Sequence, residues 1–212
     1  MTTARWYFDL ISPYAYLHLK KFGQLPSDLD IEYVPILLAG LLGHWGQKGP
    51  AEIAPKRRYA YRQIVWSAKH QGIPLKMPPQ HPFNPLHALR LLLGAQPTRE
   101  HVEIAFDMVW MEGRDMQSHD ALMDLGRRLD VEDVESVLTD VRIKQQLRDN
   151  TDEAIRHRVF GVPTFLIGEA MFWGQDSLEM MLGYLHDPGI FDTPEMRRVD
   201  SLPVGASRRE QR

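Results

Sequence analysis

The sequence predicts an α/β fold in which a β-α-β unit and a β-β-α unit, at opposite ends of the chain, share one sheet interrupted by a large all-helical insertion. Three observations predict it. Breaker-poor runs of aromatic and β-branched residues cluster near the two ends, at 5–11, 31–38 and 163–173. Between them, from about 43 to 158, apolar residues recur at helical spacing. Neither end carries enough sheet to cover its own apolar face, so the two are expected to pair. The chain thus divides into a sheet unit at 1–42 and 159–191, a helical insertion at 43–158, and a flexible C-terminal tail at 192–212.

Residues 5–11 (RWYFDLI) read as the first strand. Pro13 suits the first turn of a helix with Ser12 as its cap, and Tyr14, Leu17 and Leu25 supply the apolar face, with Phe22 alongside. Residues 31–38 (IEYVPILL) form the second strand, where Pro35, lacking an N–H, marks an edge or a bend. In the helical block, Tyr61, Ile64, Val65 and Ala68 follow i, i+3, i+4, i+7 spacing until Gly72 and Pro74 stop the run. Leu86, Leu89 and Leu93 mark a helix opened by Pro85. Val102, Ala105, Phe106, Val109 and Trp110 make the strongest stripe, and Leu122, Leu125 and Leu129 follow. A polar, charged helix then runs toward Val159. Such stripes are core packing and carry no chemistry themselves. PTFLIG (163–168) and AMFW (170–173) flank a Gly168-Glu169 turn as a hairpin. The last helix presents Leu178, Met181, Leu182 and Leu185, with Asp176 and Glu179 spaced as a capping box. Beyond Asp192 the chain is polar, carries Pro194 and Pro203, and reads as loose.

Composition narrows function by exclusion. A formal charge of −3 without a basic stripe gives neither nucleic acid nor an anionic membrane its usual footprint. No apolar run approaches the roughly 18 residues of a membrane span. The opening MTTARWYFDLI lacks a basic n-region and a small-residue cleavage site, so a cytoplasmic location is expected. Cysteine is absent. That removes disulfides, thiolate nucleophiles and Cys-ligated metals at once, and any thiol chemistry has to come from a bound small molecule. The nine histidines show no metal-ligand spacing, so no metal is expected.

Four stretches carry candidate chemistry, each with two readings. Ser12 is a helix cap or a working hydroxyl, but no GxSxG elbow surrounds it. Val162-Pro163 opens a strand either as a trans edge residue or as a cis bond whose preceding backbone can pair with an extended ligand. Trp173-Gly174-Gln175-Asp176 precedes the last helix, where N–H groups suit a carboxylate and Asp176 suits an ammonium, or where Asp176 simply caps. GHWGQKGP (43–50), with Gly46 and Gln47, is a lid over a pocket or an irregular connection. The basic cluster Lys56-Arg57-Arg58 is a solvated helix face or an attractor of an anionic substrate.

Together FDLISPYAYL, the helical insertion and FGVPTFLIGEAMFWGQDSLEMM resemble the 2-hydroxychromene-2-carboxylate isomerase family, allied to kappa-class glutathione transferases and to DsbA-like thioredoxin-fold proteins. The resemblance spans roughly residues 5 to 186 and includes GHWGQKGP and HPFNPLHALR. It implies a thioredoxin-like fold with a DsbA-like insertion, glutathione as cofactor, a small aromatic carboxylate as substrate, and a homodimer. Where DsbA-like oxidoreductases carry Cys-x-x-Cys, this chain has Ser12-Pro13-Tyr14-Ala15, so disulfide exchange is excluded. By the resemblance, Ser12 lies against the glutathione sulfur as the catalytic residue. Val162, before Pro163, pairs with the cysteinyl segment, and Trp173, Gly174, Gln175 and Asp176 hold the γ-glutamyl end. Gly46 and Gln47, matching a Gly-Asn pair, and Asn84 border the aromatic substrate. The implied reaction is isomerisation of 2-hydroxychromene-2-carboxylate, or a related intermediate of aromatic degradation, to trans-o-hydroxybenzylidenepyruvate through a reversible glutathione adduct. Two alternatives share the fold: a kappa-class-like transferase acting on another electrophile, and a non-enzymatic module that binds extended peptides beside Val162.

Overall fold

Both ends of the chain meet in one four-stranded sheet. The computed structural model describes residues 2–206. Its strands are β1 (Thr3–Phe8), β2 (Asp30–Pro35), β3 (Thr164–Ile167) and β4 (Ala170–Trp173), in the order β2-β1-β3-β4. β1 runs parallel to β2 and antiparallel to β3, and β3 pairs antiparallel with β4. Tyr7 lies opposite both Val34 and Thr164, and Thr164 lies opposite Trp173. The register therefore gathers the ends of β1, β2 and β4 and the start of β3 at one end of the sheet.

The helices are α1 (Pro13–Leu19), α2 (Leu38–His44), α3 (Ala54–His70), α4 (Leu86–Gly94), α5 (Arg99–Trp110), α6 (His119–Arg128), α7 (Val134–Thr139), α8 (Val141–Arg156), α9 (Leu178–His186) and α10 (Pro194–Val199). Strand alternation sorts β1 between two cores. Ala4, Trp6 and Phe8 pack with α1, α4, α5 and α6, while Tyr7 packs with Val34, Leu41, Ala154 and Leu166 on the other side. Every residue of the expected Val102–Trp110 stripe is fully buried.

Several boundaries differ from expectation. β1 stops at Phe8 rather than Ile11, because Asp9 turns the chain: its carboxylate accepts the Ile11 N–H and its carbonyl the Ser12 N–H. β2 is an edge strand, as Pro35 suggested, but it ends at that proline and a helix starts at Leu38. The N–H groups of Leu37 and Leu38 go to Thr151 and Asp9 side chains instead of to a ladder. The GHWGQKGP segment consequently begins within the last turn of a helix, at Gly43 and His44, and not after a strand. Helix α1 ends at Leu19, and Phe22 sits in a separate 3₁₀ turn, Phe22–Gln24. In α3, Val65 is exposed and Ala60 is buried in its place. The expected charged helix toward Val159 is two helices that break at Asp140, which caps the second. In the tail, a 3₁₀ turn (Pro188–Asp192) places Phe191 against Phe172 and Tyr184 before the exposed α10; residues 207–212 of the expected flexible segment lie outside the described residues.

Candidate active site

The turn between β1 and α1 is held on every side. Asp9 is 1% exposed; its carboxylate accepts from the Ile11 N–H at 3.0 Å and from the Leu38 N–H at 2.8 Å. Burial pushes this carboxyl up to about 7, against the two N–H donors that favour its charge. The Leu10 carbonyl accepts the Trp110 indole N–H at 2.9 Å. The Ile11 carbonyl lies 2.8 Å from His81 Nε2, which makes that nitrogen the donor, since a carbonyl only accepts. The Tyr61 hydroxyl stands 2.7 Å from both His81 Nδ1 and the His81 carbonyl.

Ser12 is the N-cap of α1 at φ −90°, ψ 110°, and its Oγ accepts the Ala15 N–H at 3.2 Å. The capping reading is therefore real. It uses only the oxygen's lone pair: among the described residues, neither the Ser12 hydroxyl proton nor the Tyr14 N–H has an acceptor. The residue is 5% exposed, so both donors sit in a partly desolvated corner.

Across the sheet end, the Val162–Pro163 bond is cis. Val162's N–H and carbonyl make no hydrogen bond among the described residues, whereas the Pro163 carbonyl accepts the Gly174 N–H at 2.9 Å. Gly161 is required by its neighbour: a Cβ there would come 2.6 Å from Trp173 Nε1. The Trp173 ring, half exposed, meets Phe160 edge-on at 5.0 Å. Gly174 adopts φ +93°, a conformation open to glycine, and a Cβ would strike Asp176 Oδ1. The expected Asp176/Glu179 capping box is absent. Ser177 is the N-cap of α9, and its hydroxyl donates to the Gly174 carbonyl at 2.7 Å. The Asp176 carboxylate is thus exposed and not spent on the helix, and beside it Gln175 Oε1 is buried without a partner among the described residues.

Ser12, Val162-Pro163 and Trp173–Asp176 are brought to the same sheet end by the strand register. Gly46, at φ +62°, and exposed Gln47 follow α2, where the Trp45 indole N–H donates to the Val159 carbonyl at 2.9 Å and ties that loop to the approach of β3. Asn84 lies in the segment that leads from His81 into α4. Its Oδ1 accepts the Leu86 N–H at 3.1 Å and its own N–H donates to Gln117, so it is engaged as a turn former. The same segment touches the Ser12 turn through His81. Sequence reasoning missed Asp9, His81, Tyr61 and Trp110. Asp9 carried a signal, a lone carboxylate inside the apolar run WYFDLI; His81 lies 70 positions from Ile11 and carried none. Among the described residues no His, Asp or Glu cluster suits a metal ion, and no helix is long and apolar enough to cross a membrane. A cavity of about 500 Å³ lined by Gln96, His101, Asp130 and Ser136, among others, shares no residue with this site.

A sheet assembled from both chain ends, a cis-proline opening β3 and a capped helix after β1 define a thioredoxin-class protein, and the model of the DSBA-like thioredoxin domain matches residues 3–186. The chain is 32% identical over 184 residues to 2-hydroxychromene-2-carboxylate isomerase of Pseudomonas putida, covering 83% of this chain and 90% of that one. It is 26% identical over 206 residues to glutathione S-transferase kappa 2 of Caenorhabditis elegans, covering 87% and 92%. A solved structure of 2-hydroxychromene-2-carboxylate isomerase superposes with a TM-score of 0.78 at 25% identity, over 95% of this chain and 100% of that one. The chain belongs to the DsbA-like thioredoxin family, in the branch that holds the 2-hydroxychromene-2-carboxylate isomerases and kappa-class transferases.

Proposed function

We propose that the protein is a glutathione-dependent isomerase that converts 2-hydroxychromene-2-carboxylate, or a related aromatic-degradation intermediate, to trans-o-hydroxybenzylidenepyruvate. One observation carries the reading: at the turn where redox relatives place a sulfur, this cysteine-free chain places Ser12, whose proton is uncommitted. The residues present fit glutathione. Val162 offers an unpaired N–H and carbonyl, Asp176 an unspent carboxylate, and Gln175 a buried oxygen without a partner. When bound, glutathione supplies the thiolate that the chain lacks.

The protein's own part is to bind, orient and stabilise charge. The Ser12 hydroxyl and the Tyr14 N–H donate toward the sulfur and favour its ionised form, lowering a thiol pKa from about 8.5 toward neutrality. Ser12 keeps its proton and acts as a donor, not as a nucleophile. Val162 holds the cysteinyl segment as a short added strand, and Trp173–Asp176 hold the γ-glutamyl end with its ammonium on the Asp176 carboxylate. Gly46, Gln47 and Asn84 border the aromatic acid.

The test is direct. Purified protein with glutathione should isomerise the chromene carboxylate, and Ser12→Ala should lower kcat about a hundred-fold, the cost of removing one donor to a developing anion. Full activity of Ser12→Ala at saturating glutathione would remove Ser12 from the reaction. A second reading, conjugation of another electrophile, is favoured by the likeness to the nematode kappa transferase across 92% of that protein. A higher specificity constant for a chlorinated nitroaromatic acceptor than for the chromene would establish it. The unpaired Val162 backbone favours a third, an extended-peptide module; calorimetry showing peptide binding and no glutathione binding would establish that instead. Sedimentation velocity tests the homodimer.

A further inference from the structure

We infer that His81 is a positioning residue: its Nε2–H fixes the peptide group that carries Ser12, so that the helical insertion sets the geometry of the catalytic turn. The inference rests on the glutathione-dependent reading above. The Ile11 carbonyl and the Ser12 N–H are two ends of one planar unit. His81 holds the oxygen end at 2.8 Å, and the Asp9 carbonyl holds the N–H end at 3.0 Å. Fixing both ends of the plane fixes its rotation, and with it the φ of Ser12 and the direction of its hydroxyl.

The ring is itself held. Trp110 and Tyr61 meet it edge-on at 5.4 and 5.3 Å. The Tyr61 hydroxyl, 2.7 Å from Nδ1, makes the two ring faces inequivalent, because a flip would sacrifice both nitrogen contacts. Trp110 donates to the Leu10 carbonyl, so the two carbonyls immediately before Ser12 are both bound by ring N–H groups from the insertion. A side chain that merely filled space here would need neither nitrogen.

Amide substitutions separate the two nitrogens. In His81→Gln the amide N–H falls where Nε2 was; in His81→Asn it falls where Nδ1 was; His81→Phe keeps the ring and loses both. Two readouts are taken: amide exchange at Ser12 in ligand-free protein, and the pKa of bound glutathione from the ultraviolet absorbance of its thiolate, alongside kcat and KM. In Asn and Phe variants with unchanged melting temperature, the Ser12 N–H should exchange faster, the thiol pKa should rise by about one unit and kcat fall about ten-fold. KM for glutathione should hold, and His81→Gln should restore all three. Tyr61→Phe, which leaves His81 in place but frees its ring, should shift the same quantities less. Wild-type exchange and thiol pKa in folded His81→Phe, or in both His81→Asn and Tyr61→Phe, would overturn the inference. If unaltered protein binds no glutathione, the functional reading falls, while exchange at Ser12 still decides whether His81 holds the turn.

Discussion

Two buried titratable side chains flank the Ser12 turn and pull stability in opposite directions with pH. Asp9 has its carboxyl raised to about 7 by burial, well above its usual range. Its contribution is full below the unfolded pKa of about 4 and is lost as pH rises through 7. His18 is fully buried, with Nδ1 accepting the Trp6 indole N–H at 3.3 Å, and burial pushes it down to about 3. The unfolded chain binds a proton that native His18 refuses, so its contribution is lost as pH falls from about 6.5 toward 3. Between about pH 4 and 6.5 the two slopes offset each other. Asp9→Asn removes one of them. Urea unfolding at pH 5 and pH 8 should show that variant losing more stability at the acid end than wild type does; equal pH slopes would mean that Asp9 is ionised throughout. Gly161 is held small by the ring beside it. An alanine Cβ would sit 2.6 Å from Trp173 Nε1, so Gly161→Ala should cost about 1–3 kcal/mol and weaken calorimetric glutathione affinity by displacing Trp173. Unchanged melting and affinity would contradict the close packing.

At the scale of elements, the junction of β2 and α2 shows both what the sequence discloses and what it conceals. The Leu37 N–H donates to Thr151 Oγ1 at 3.1 Å, and Thr151 Oγ1 donates on to the Leu147 carbonyl at 2.8 Å within α8. Thr151→Val keeps the shape but strands a partly buried N–H, so it should cost about 1–3 kcal/mol in urea unfolding. A loss below measurement would show that water serves the N–H instead. The continuous apolar run IEYVPILL hid this junction, because strand and buried helix look alike over so few residues. What redirects the chain is a pair of side chains, Asp9 and Thr151, from distant parts of the sequence. The elements with their own periodicity, α5 and the hairpin among them, were legible. So were the Ser12 cap and the edge position of β2, because proline chemistry is local. The spacing of Asp176 to Glu179 fits a capping box, one of the two readings open to it, but the chain begins the helix one residue later, at Ser177. The roles of His81 and Trp110 are not legible, because their partners are backbone carbonyls of the turn, and Tyr61 reaches the turn only through His81; no spacing encodes such contacts.

For the whole molecule, the decisive feature is that the sheet unit and the insertion share an apolar core. Trp6 stacks on Phe8 at 4.7 Å, and Phe106 of the insertion lies 6.0 Å from the first ring and 5.6 Å from the second. The same buried cluster takes in Leu89, Val109, Trp110 and Leu125 from the insertion and Phe172 and Met181 from the C-terminal unit. Each large side chain of this kind contributes about 1.5–3 kcal/mol when buried; the covering atoms include rings of β1 and α1 for Phe106, and Leu10 of the turn between them for Trp110. Unfolding should therefore be a single transition, with tryptophan fluorescence and far-ultraviolet dichroism superimposing and the calorimetric and van't Hoff enthalpies agreeing. Residues 43–158 expressed alone should lose that cover and collapse without fixed packing, giving helical dichroism but no dispersed side-chain resonances. A folded isolated insertion, or two resolved transitions in the full chain, would show instead that its core closes without β1. The Ser12 turn would then be held by a unit able to move independently of the sheet.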